Sequence, residues 1–198
     1  MMEPVFLFDF DGTITKTEML PLLAKNLTSA SEILELTEKT VRGLVPFEES
    51  FLKRIELLRE IPTPTIQKIF TEAPVNTKLL SWIKEHRELC YVVTGQLDIW
   101  MKPWFLKHKL NGFSSEATIE NNVVGVSKVI DKSSIADHFP GREIIMVGDG
   151  ANDATLMEKA STSIGTEIVH KVPEMIWELA DIVIWEEDSL CRTLSRLL

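Results

Sequence analysis

Short apolar runs, each closed by a polar or glycine-rich turn, place the strongest constraint on how this chain can fold. The clearest runs are residues 4–8, 89–94 and 143–147, and shorter candidates are residues 161–164 and 181–185. Runs of this kind are typical of strands that are buried on both faces. Helical patterns lie between them, at residues 76–86, 97–109, 133–138, 153–159 and 173–179. This alternation predicts an α/β fold, in which a Rossmann-like parallel sheet is covered by helices on both faces.

Residues 17–71 interrupt the alternation, because they show helical spacing and no convincing strand. Phe51, Ile55 and Leu58, for example, recur at the i, i+4 and i+7 positions of a helix face. We therefore expect a core domain made of residues 1–16 and 72–198, with residues 17–71 inserted into it as a small helical cap domain.

The pair Asn121-Asn122 gives a further local signal, since it separates two apolar segments, residues 117–119 and 123–126. Asparagine is common in tight turns that join antiparallel strands. The segment therefore predicts a hairpin.

Charge and composition narrow the classes of partner. The 198 residues carry a net charge of -9 and a pI near 5.0, which argues against nucleic acid and against an anionic membrane surface as partners. The chain shows no basic leader and no apolar stretch of 18 residues, so we expect a cytoplasmic protein, either a monomer or a homodimer. The two cysteines do not form a disulfide framework.

Polar residues follow three of the predicted strands. Asp9 and Asp11 come after the first strand, Thr94 and Gly95 end the second, and residues 148–153 follow the third. In open parallel sheets, ligands bind beyond the carboxyl ends of the strands. The three strand ends therefore predict one shared site.

Two carboxylates, Asp9 and Asp11, stand two residues apart in this site. An extended backbone would direct both to one face, where one can act as a nucleophile and the other as a general acid and base. Two neighbouring anions repel each other and a phosphate group, and a divalent cation, Mg²⁺, would resolve that repulsion. The alternative is a strand-end turn with two solvated aspartates.

The segment Gly148-Asp149-Gly150-Ala151-Asn152-Asp153 opens a helix after a strand. Its glycines allow a tight turn with exposed backbone N–H groups, and Asp149 offers a further oxygen ligand. The segment does not match the dinucleotide-binding pattern, because Asp153 stands where that pattern has its last glycine. The alternative is an acidic turn in which Asn152 or Asp153 caps the helix.

Taken together, these residues resemble the motifs of the haloacid dehalogenase superfamily of phosphatases. The first motif, Asp-x-Asp-Gly-Thr, is matched by residues 9–13, and the fourth, Gly-Asp-Gly-x-Asn-Asp, is matched by residues 148–153. Thr94 matches the second motif. Lys132 is the better candidate for the lysine of the third, with Lys128 as the alternative. The resemblance spans essentially the whole chain.

The resemblance implies a role for each motif residue. Asp9 would attack phosphorus and become an aspartyl phosphate, and Asp11 would protonate the leaving oxygen and then activate water. Thr94 and Lys132 would hold the phosphoryl oxygens. Mg²⁺ would be bound by Asp9, by the backbone carbonyl of Asp11 and by Asp149, with Asp153 in support.

The predicted helical insert resembles the cap of the phosphoserine phosphatase group. Glu18 matches the glutamate that binds the substrate amine, and Arg54 matches the arginine that binds its carboxylate, which implies phosphoserine or a similar phosphorylated amino acid as substrate. The alternative is that Glu18 is solvated or caps a helix and that Arg54 pairs with Glu49 or Glu56 on the surface.

The candidate substrate-binding residues are Glu18, Arg54, Gly95, Gln96 and Asn152. One of them departs from the group, because Gln96 stands where the Ser-Gly-Gly pattern of the second motif has a glycine. Gln96 therefore puts phosphoserine itself in question more than it does phosphatase chemistry.

Two other functions remain open at this point. The chain can be a phosphatase or phosphotransferase for another small phosphate, such as a nucleotide or vitamin phosphate, or a catalytically silent binding module with this fold. The four histidines are scattered without the spacing of metal ligands, and we interpret them as surface or core residues.

Overall fold

The computed structural model describes residues 3–120 and 123–198. Within these ranges, seven strands form one sheet in the order β4-β3-β2-β1-β5-β6-β7. The strands are β1 Val5–Phe8, β2 Cys90–Leu97, β3 Asn111–Glu120, β4 Val123–Lys128, β5 Ile144–Gly148, β6 Thr162–Thr166 and β7 Ile182–Ile184. All neighbouring strands are parallel except β3 and β4, which are antiparallel.

Helices connect the strands and cover the sheet. The α-helices of the described residues are α1 Met19–Ala24, α2 Ala30–Val41, α3 Phe47–Leu58, α4 Thr63–Glu72, α5 Thr77–Glu85, α6 Asp98–His108, α7 Ala154–Met157, α8 Glu174–Leu179 and α9 Glu187–Leu194. Two 3₁₀ helices, Lys132–His138 and Ala151–Asp153, precede β5 and α7. The predicted α/β class with a parallel sheet is confirmed. No helix of the described ranges combines the length and apolar character needed to cross a bilayer.

The central strand β1 divides the apolar core into two layers. Phe6 and Phe8 belong to one cluster of buried side chains, and Val5 and Leu7 belong to another on the opposite face of the sheet. All four side chains have 0% exposure. Successive side chains of a strand point to opposite faces, so an unbroken apolar run is what a central strand between two helical layers requires.

Residues 17–71 contain helices α1 to α3 and most of α4, as the helical spacing predicts. Phe51, Ile55 and Leu58 are all buried on one face of α3. A β-bridge joins Thr15 to Val75 where the chain leaves and re-enters the core, and the Lys16 N–H donates to the Pro74 carbonyl at 2.8 Å. The division into a core and a separate cap domain stays a prediction.

Two strands differ from their predicted extents. β2 continues through Gly95 to Leu97, with a register shift against β3 after Val93, whereas the sequence predicts its end at Gly95. β3 begins at Asn111, although only residues 117–119 predict a strand. The first half of β3 is paired with β2. Asn111-Gly112, a dipeptide typical of turns, is therefore part of a strand, because the pairing outweighs the local turn preference. The antiparallel pair β3–β4 has the predicted hairpin partners, while the turn residues 121–122 lie outside the described residues.

Candidate active site

The first motif leaves β1 through a tight turn. The Asp9 N–H donates to the Val147 carbonyl at 2.9 Å, which ties the end of β1 to β5. Phe10–Ile14 then forms a tight turn that is not regularly helical, since Asp11 (φ −71°, ψ 128°) and Gly12 (φ 73°) have non-helical backbone angles. A Cβ at Gly12 would also lie only 2.2 Å from an Asp149 oxygen, so glycine is required there on two counts.

This turn corrects one premise of the sequence analysis. The extended backbone is interrupted between Asp9 and Asp11, because the turn begins at Phe10, although Asp9 and Asp11 themselves have extended backbone angles. Phe10 is buried instead, against Trp104 and Phe70. Both carboxylates nevertheless line the same pocket.

The turn after β5 is closed by a carboxylate. Oδ2 of Asp153 accepts hydrogen bonds from the N–H groups of Asp149 and Gly150, at 3.1 and 3.2 Å. These two N–H groups are therefore occupied within the turn, which corrects the expectation that they are exposed for a ligand. The Thr13 hydroxyl donates to Oδ1 of Asp149 at 2.7 Å and joins the first motif to the fourth.

Lys132 is buried between two carboxylates at the start of a 3₁₀ helix. Its Nζ donates to Oδ1 of Asp9 and, at 2.7 Å, to Oδ1 of Asp153. Burial works to lower the pKa of Lys132, but Asp153 and Asp9 outweigh it and raise that pKa. Lys128 lies on the surface, 3.9 Å from Glu116. Of the two candidate lysines, the structure brings Lys132 to Asp9.

Asp11 and Asp149 hold their protons more tightly than a free aspartate does. Burial, followed by the charge of Glu18, raises the pKa of Asp11 from 3.8 to about 7, although hydrogen bonds from Gln96 and the Met19 N–H oppose this. Burial also raises the pKa of Asp149 to about 6, against the opposing effect of His170. A group with a pKa near neutral can both donate and accept a proton, which suits Asp11 to acid and base catalysis.

Three of the predicted metal residues form a cluster. Carboxylate oxygens of Asp9, Asp149 and Asp153 lie within 4.8 Å of one another. All three side chains are buried, and such a concentration of hard oxygen ligands fits a divalent cation. The Asp11 carboxylate does not join this cluster, because it accepts from Met19 and Gln96 instead. The metal role implied for Asp11 is that of its backbone carbonyl.

A pocket opens above these carboxylates, between the sheet edge and helices α2 and α3. The space within it that the centre of a water-sized sphere can reach is about 40 Å³, so the pocket is narrow in this structure. All five candidate substrate-binding residues line it, namely Glu18, Arg54, Gly95, Gln96 and Asn152. Thr94 is fully buried and is not among the residues that line the pocket. Its hydroxyl accepts a hydrogen bond from the Gln96 N–H at 3.1 Å.

Helix α3 packs closely onto the end of β2. A Cβ at Gly95 would lie 2.2 Å from the ring of Phe47, the first residue of α3. The second motif therefore has a glycine where an aromatic side chain of the helical insert meets the strand.

Arg54 is buried, and it is not paired on the surface with Glu49 or Glu56. Its Nη1 donates to the Thr37 hydroxyl at 2.9 Å and its Nε donates to the Ser50 carbonyl at 3.2 Å. Burial lowers the pKa of the guanidinium, and the charges of Glu18 and Asp11 oppose that change. Among the described residues that line the pocket, Arg54 carries the single positive charge, against the carboxylates of Asp9, Asp11, Glu18 and Asp149.

His170 is a site residue that sequence reasoning missed. Its Nε2 lies 2.6 Å from Oδ2 of Asp149 and 3.5 Å from Oε1 of Glu18. Burial works to lower the pKa of His170, but Asp149 and Glu18 raise it to about 11. The interpretation of all four histidines as surface or core residues is therefore wrong for His170.

The position of His170 along the chain held a usable signal. It follows β6, so it lies beyond the carboxyl end of a parallel strand like the motif residues. Glu167 shapes this loop by accepting hydrogen bonds from the Val172 N–H and from the indole N–H groups of Trp177 and Trp185.

The raised pKa of Asp11 predicts how stability depends on pH. Between 3.8 and about 7, the folded protein keeps a proton on Asp11 that the unfolded chain has released, so this residue costs stability progressively as the pH rises. Asp11→Asn carries no such charge, and we expect it to gain stability relative to wild type over that interval. Thermal melts in excess chelator measure the difference, since each kcal/mol shifts Tm by about 2–4 °C in a chain of this size.

Asp137→Asn is the matched control for this experiment, because Asp137 is exposed and lies outside the pocket. We expect it to follow wild type at every pH. A constant difference between Asp11→Asn and wild type would contradict the raised pKa.

Comparisons with known proteins identify the family of the chain. A family model described as haloacid dehalogenase-like hydrolase matches residues 4–161, more than half of the chain. The phosphoserine phosphatase of Archaeoglobus fulgidus is 28% identical over 202 aligned residues, and that of Methanocaldococcus jannaschii is 26% identical over 202. Each alignment covers 93% of this chain; it covers 57% of the A. fulgidus protein and 93% of the M. jannaschii protein.

Comparison with solved structures also finds phosphoserine phosphatase. A solved structure, the phospho-aspartyl intermediate analogue of phosphoserine phosphatase, matches with a TM-score of 0.81 and covers 99% of both chains at 24% identity. This likeness concerns the fold. The resemblance found in the motifs is confirmed by the family model and by the sequence relatives, and the chain belongs to the haloacid dehalogenase-like hydrolases.

Proposed function

We propose that this protein is a Mg²⁺-dependent phosphatase that hydrolyses the phosphomonoester of a small metabolite through an aspartyl phosphate on Asp9. The observation that carries the proposal is the setting of Asp9. Its carboxylate contacts buried Lys132, lies in a carboxylate cluster with Asp149 and Asp153, and lines the same pocket as Glu18 and Arg54. The sequence relatives named phosphoserine phosphatase support the same reaction class.

In the first half of the proposed reaction, an Asp9 carboxylate oxygen bonds to phosphorus as the bond from phosphorus to the ester oxygen breaks. Lys132 donates to Oδ1 of Asp9, so we assign the attack to Oδ2. Asp11, protonated, gives its proton to the departing alkoxide. Lys132 and Thr94 are assigned to the phosphoryl oxygens.

In the second half, Asp11 takes a proton from a water molecule as the water oxygen bonds to phosphorus. The bond between Asp9 and phosphorus breaks, which releases inorganic phosphate and restores the proton on Asp11. A bound Mg²⁺ would supply the positive charge that lets an anionic ester approach the carboxylates. Asp9, Asp149 and the Asp11 carbonyl would hold it, with Asp153 shaping the turn.

For the substrate we propose phosphoserine or a similar phosphorylated amino acid. Arg54 is fixed by Thr37 and Ser50 on the pocket wall, where its guanidinium can pair with a carboxylate. Glu18 offers an anionic partner for an amine in the same pocket. The test is a phosphate-release screen over small phosphomonoesters with Mg²⁺, including phosphoserine, nucleotides and vitamin phosphates. Turnover of nucleotides or vitamin phosphates alone would contradict this substrate class.

Arg54→Ala should discriminate between substrates. Loss of a desolvated ionic contact costs about 2–5 kcal/mol, which corresponds to roughly 30- to 4,000-fold in affinity. We therefore expect a large rise in KM for a carboxylated phosphomonoester and little change on a generic aryl phosphate, because the aryl ester offers no carboxylate to Arg54. Glu18→Gln should act in the same way on amine-bearing substrates only.

The matched control is Arg59→Ala, because Arg59 is exposed next to α3 and pairs with Glu56. It should behave as wild type on every substrate. Equal losses of Arg54→Ala on all substrates, with a lowered Tm, would show that Arg54 holds the helices together. Unchanged kinetics would remove the amino-acid assignment and leave the phosphatase assignment in place.

A further inference from the structure

Gln96 makes contacts that the proposed chemistry does not yet explain. It lies near the end of β2 on the pocket wall and is only 5% exposed. Its Nε2 donates to both oxygens of Asp11, at 3.1 and 3.0 Å. When Asp11 is ionised, this pairing sets which end of the carboxamide faces it, because both carboxylate oxygens then accept hydrogen bonds and the amino group is the donor.

The other end of the same carboxamide lacks a partner. Oε1 of Gln96 is buried, and no group of residues 3–120 or 123–198 donates a hydrogen bond to it. Buried polar atoms of proteins are nearly always paired, and an unpaired one calls for an explanation, such as a bound ligand. Because Nε2 and Oε1 share one carbon atom, this acceptor stands beside the residue assigned to protonate the ester oxygen.

We propose that Oε1 of Gln96 selects substrates, by accepting a hydrogen bond from a hydroxyl or ammonium group that the phosphomonoester carries close to its ester oxygen. Through Nε2, the same side chain positions Asp11. The inference rests on the proposed phosphatase function and deepens it. The substrate class is a phosphomonoester with a hydrogen-bond donor near its ester oxygen. This class is wider than phosphorylated amino acids, and Gln96 selects it rather than Glu18 or Arg54.

The neutral carboxamide also differs from Glu18 in what it can recognise. Glu18 is an anionic acceptor already within 3.5 Å of His170, and a carboxylate favours a cationic amine. Oε1 of Gln96 carries no net charge and accepts from a hydroxyl as readily as from an amine. A hydroxyl-bearing ester therefore isolates the contribution of Gln96.

Three esters that differ by one group provide the test: ethyl phosphate, 2-hydroxyethyl phosphate and phosphoethanolamine. We expect wild type to prefer the two esters that carry a donor, by kcat/KM. In Gln96→Met, which keeps the length of the side chain and removes its polar atoms, the preference for the hydroxyl ester should fall about 2- to 10-fold and that for the ammonium ester by about 10-fold or more. Gln96→Met also loses the contact to Asp11. That loss should slow hydrolysis of all three esters alike, so it does not change the ratio of their kcat/KM values.

Gln96→Glu separates the two roles of the side chain. It keeps an acceptor in the pocket and replaces the donor that faces Asp11, so turnover should fall on all three esters while the preference for donors persists. Gln67→Met is the matched control, because the Gln67 amide donates to the Ile99 carbonyl and lies outside the pocket. It should leave the three rates unchanged.

The outcomes separate the inference from the function on which it rests. A wild-type preference that is absent, or that persists in Gln96→Met, would overturn the role of Oε1. Hydrolysis of p-nitrophenyl phosphate by wild type is the independent check of phosphatase activity. A wild-type protein that cleaves none of these esters would contradict the proposed function itself, and the inference with it.

Discussion

Asp9→Asn is expected to abolish phosphate release while the protein stays folded. The carboxamide has nearly the size of the carboxylate but is no nucleophile at neutral pH. Removal of a nucleophile from an enzyme that forms a covalent intermediate typically costs roughly 10⁴-fold or more in kcat. Lys132 keeps its ion pair with Asp153 in this variant, so its buried charge stays partnered. Phosphate release and thermal melts on the same samples measure both parts of the prediction.

The control for Asp9→Asn is Asp137→Asn, which makes the same chemical change on an exposed side chain. It should retain wild-type kinetics and Tm. If Asp9→Asn released phosphate at the rate of wild type, covalent catalysis through Asp9 would be excluded. An unfolded variant would show instead that the ion pair between Asp9 and Lys132 is needed for folding.

Removal of divalent metal is expected to abolish activity just as completely. Four acidic side chains line the pocket, from Asp9, Asp11, Glu18 and Asp149, and those that are ionised repel a phosphate dianion unless a cation intervenes. Activity should vanish in excess chelator and return with Mg²⁺. Ca²⁺ should fail to restore it, because Ca²⁺ adopts longer and looser coordination and would misplace the phosphoryl group.

A binding experiment separates the metal site from turnover. Mg²⁺ should raise the Tm of wild type, since a ligand of the folded state stabilises it. Asp149→Asn removes one oxygen of the carboxylate cluster and should lose most of that rise, while Asp137→Asn should keep it. Full activity in excess chelator would contradict a requirement for divalent metal.

The fold and the motif residues were predictable because they depend on local patterns. An unbroken apolar run such as Val5–Phe8 can be satisfied only by burial on both faces, and the strand-end rule then gathers Asp9 and Asp149 at one edge. The helical insert was predictable for the same reason, since Phe51 and Ile55 recur at the spacing of one helix face.

The contacts that the sequence did not predict depend on tertiary packing. Lys128 and Lys132 are four residues apart, and only the end of β4 and the following 3₁₀ helix determine that one stays on the surface and the other reaches Asp9. His170 reaches Asp149 through a loop shaped by Glu167, a residue with no local signal for that role. The contact from Gln96 to Asp11 likewise joins side chains 85 residues apart.

The most direct measurement of covalent catalysis through Asp9 is chemical capture of the phosphorylated residue during turnover. An acyl phosphate is reduced by borohydride to an alcohol, so an aspartyl phosphate becomes homoserine. The protein would be mixed with its best phosphomonoester and Mg²⁺, quenched, reduced and mapped by peptide mass spectrometry, with Asp9→Asn treated in parallel. Covalent catalysis through Asp9 predicts homoserine at position 9 in wild type and none at that position in the variant. A phosphoryl group on another residue, or phosphate release without any modified residue at position 9, would contradict it.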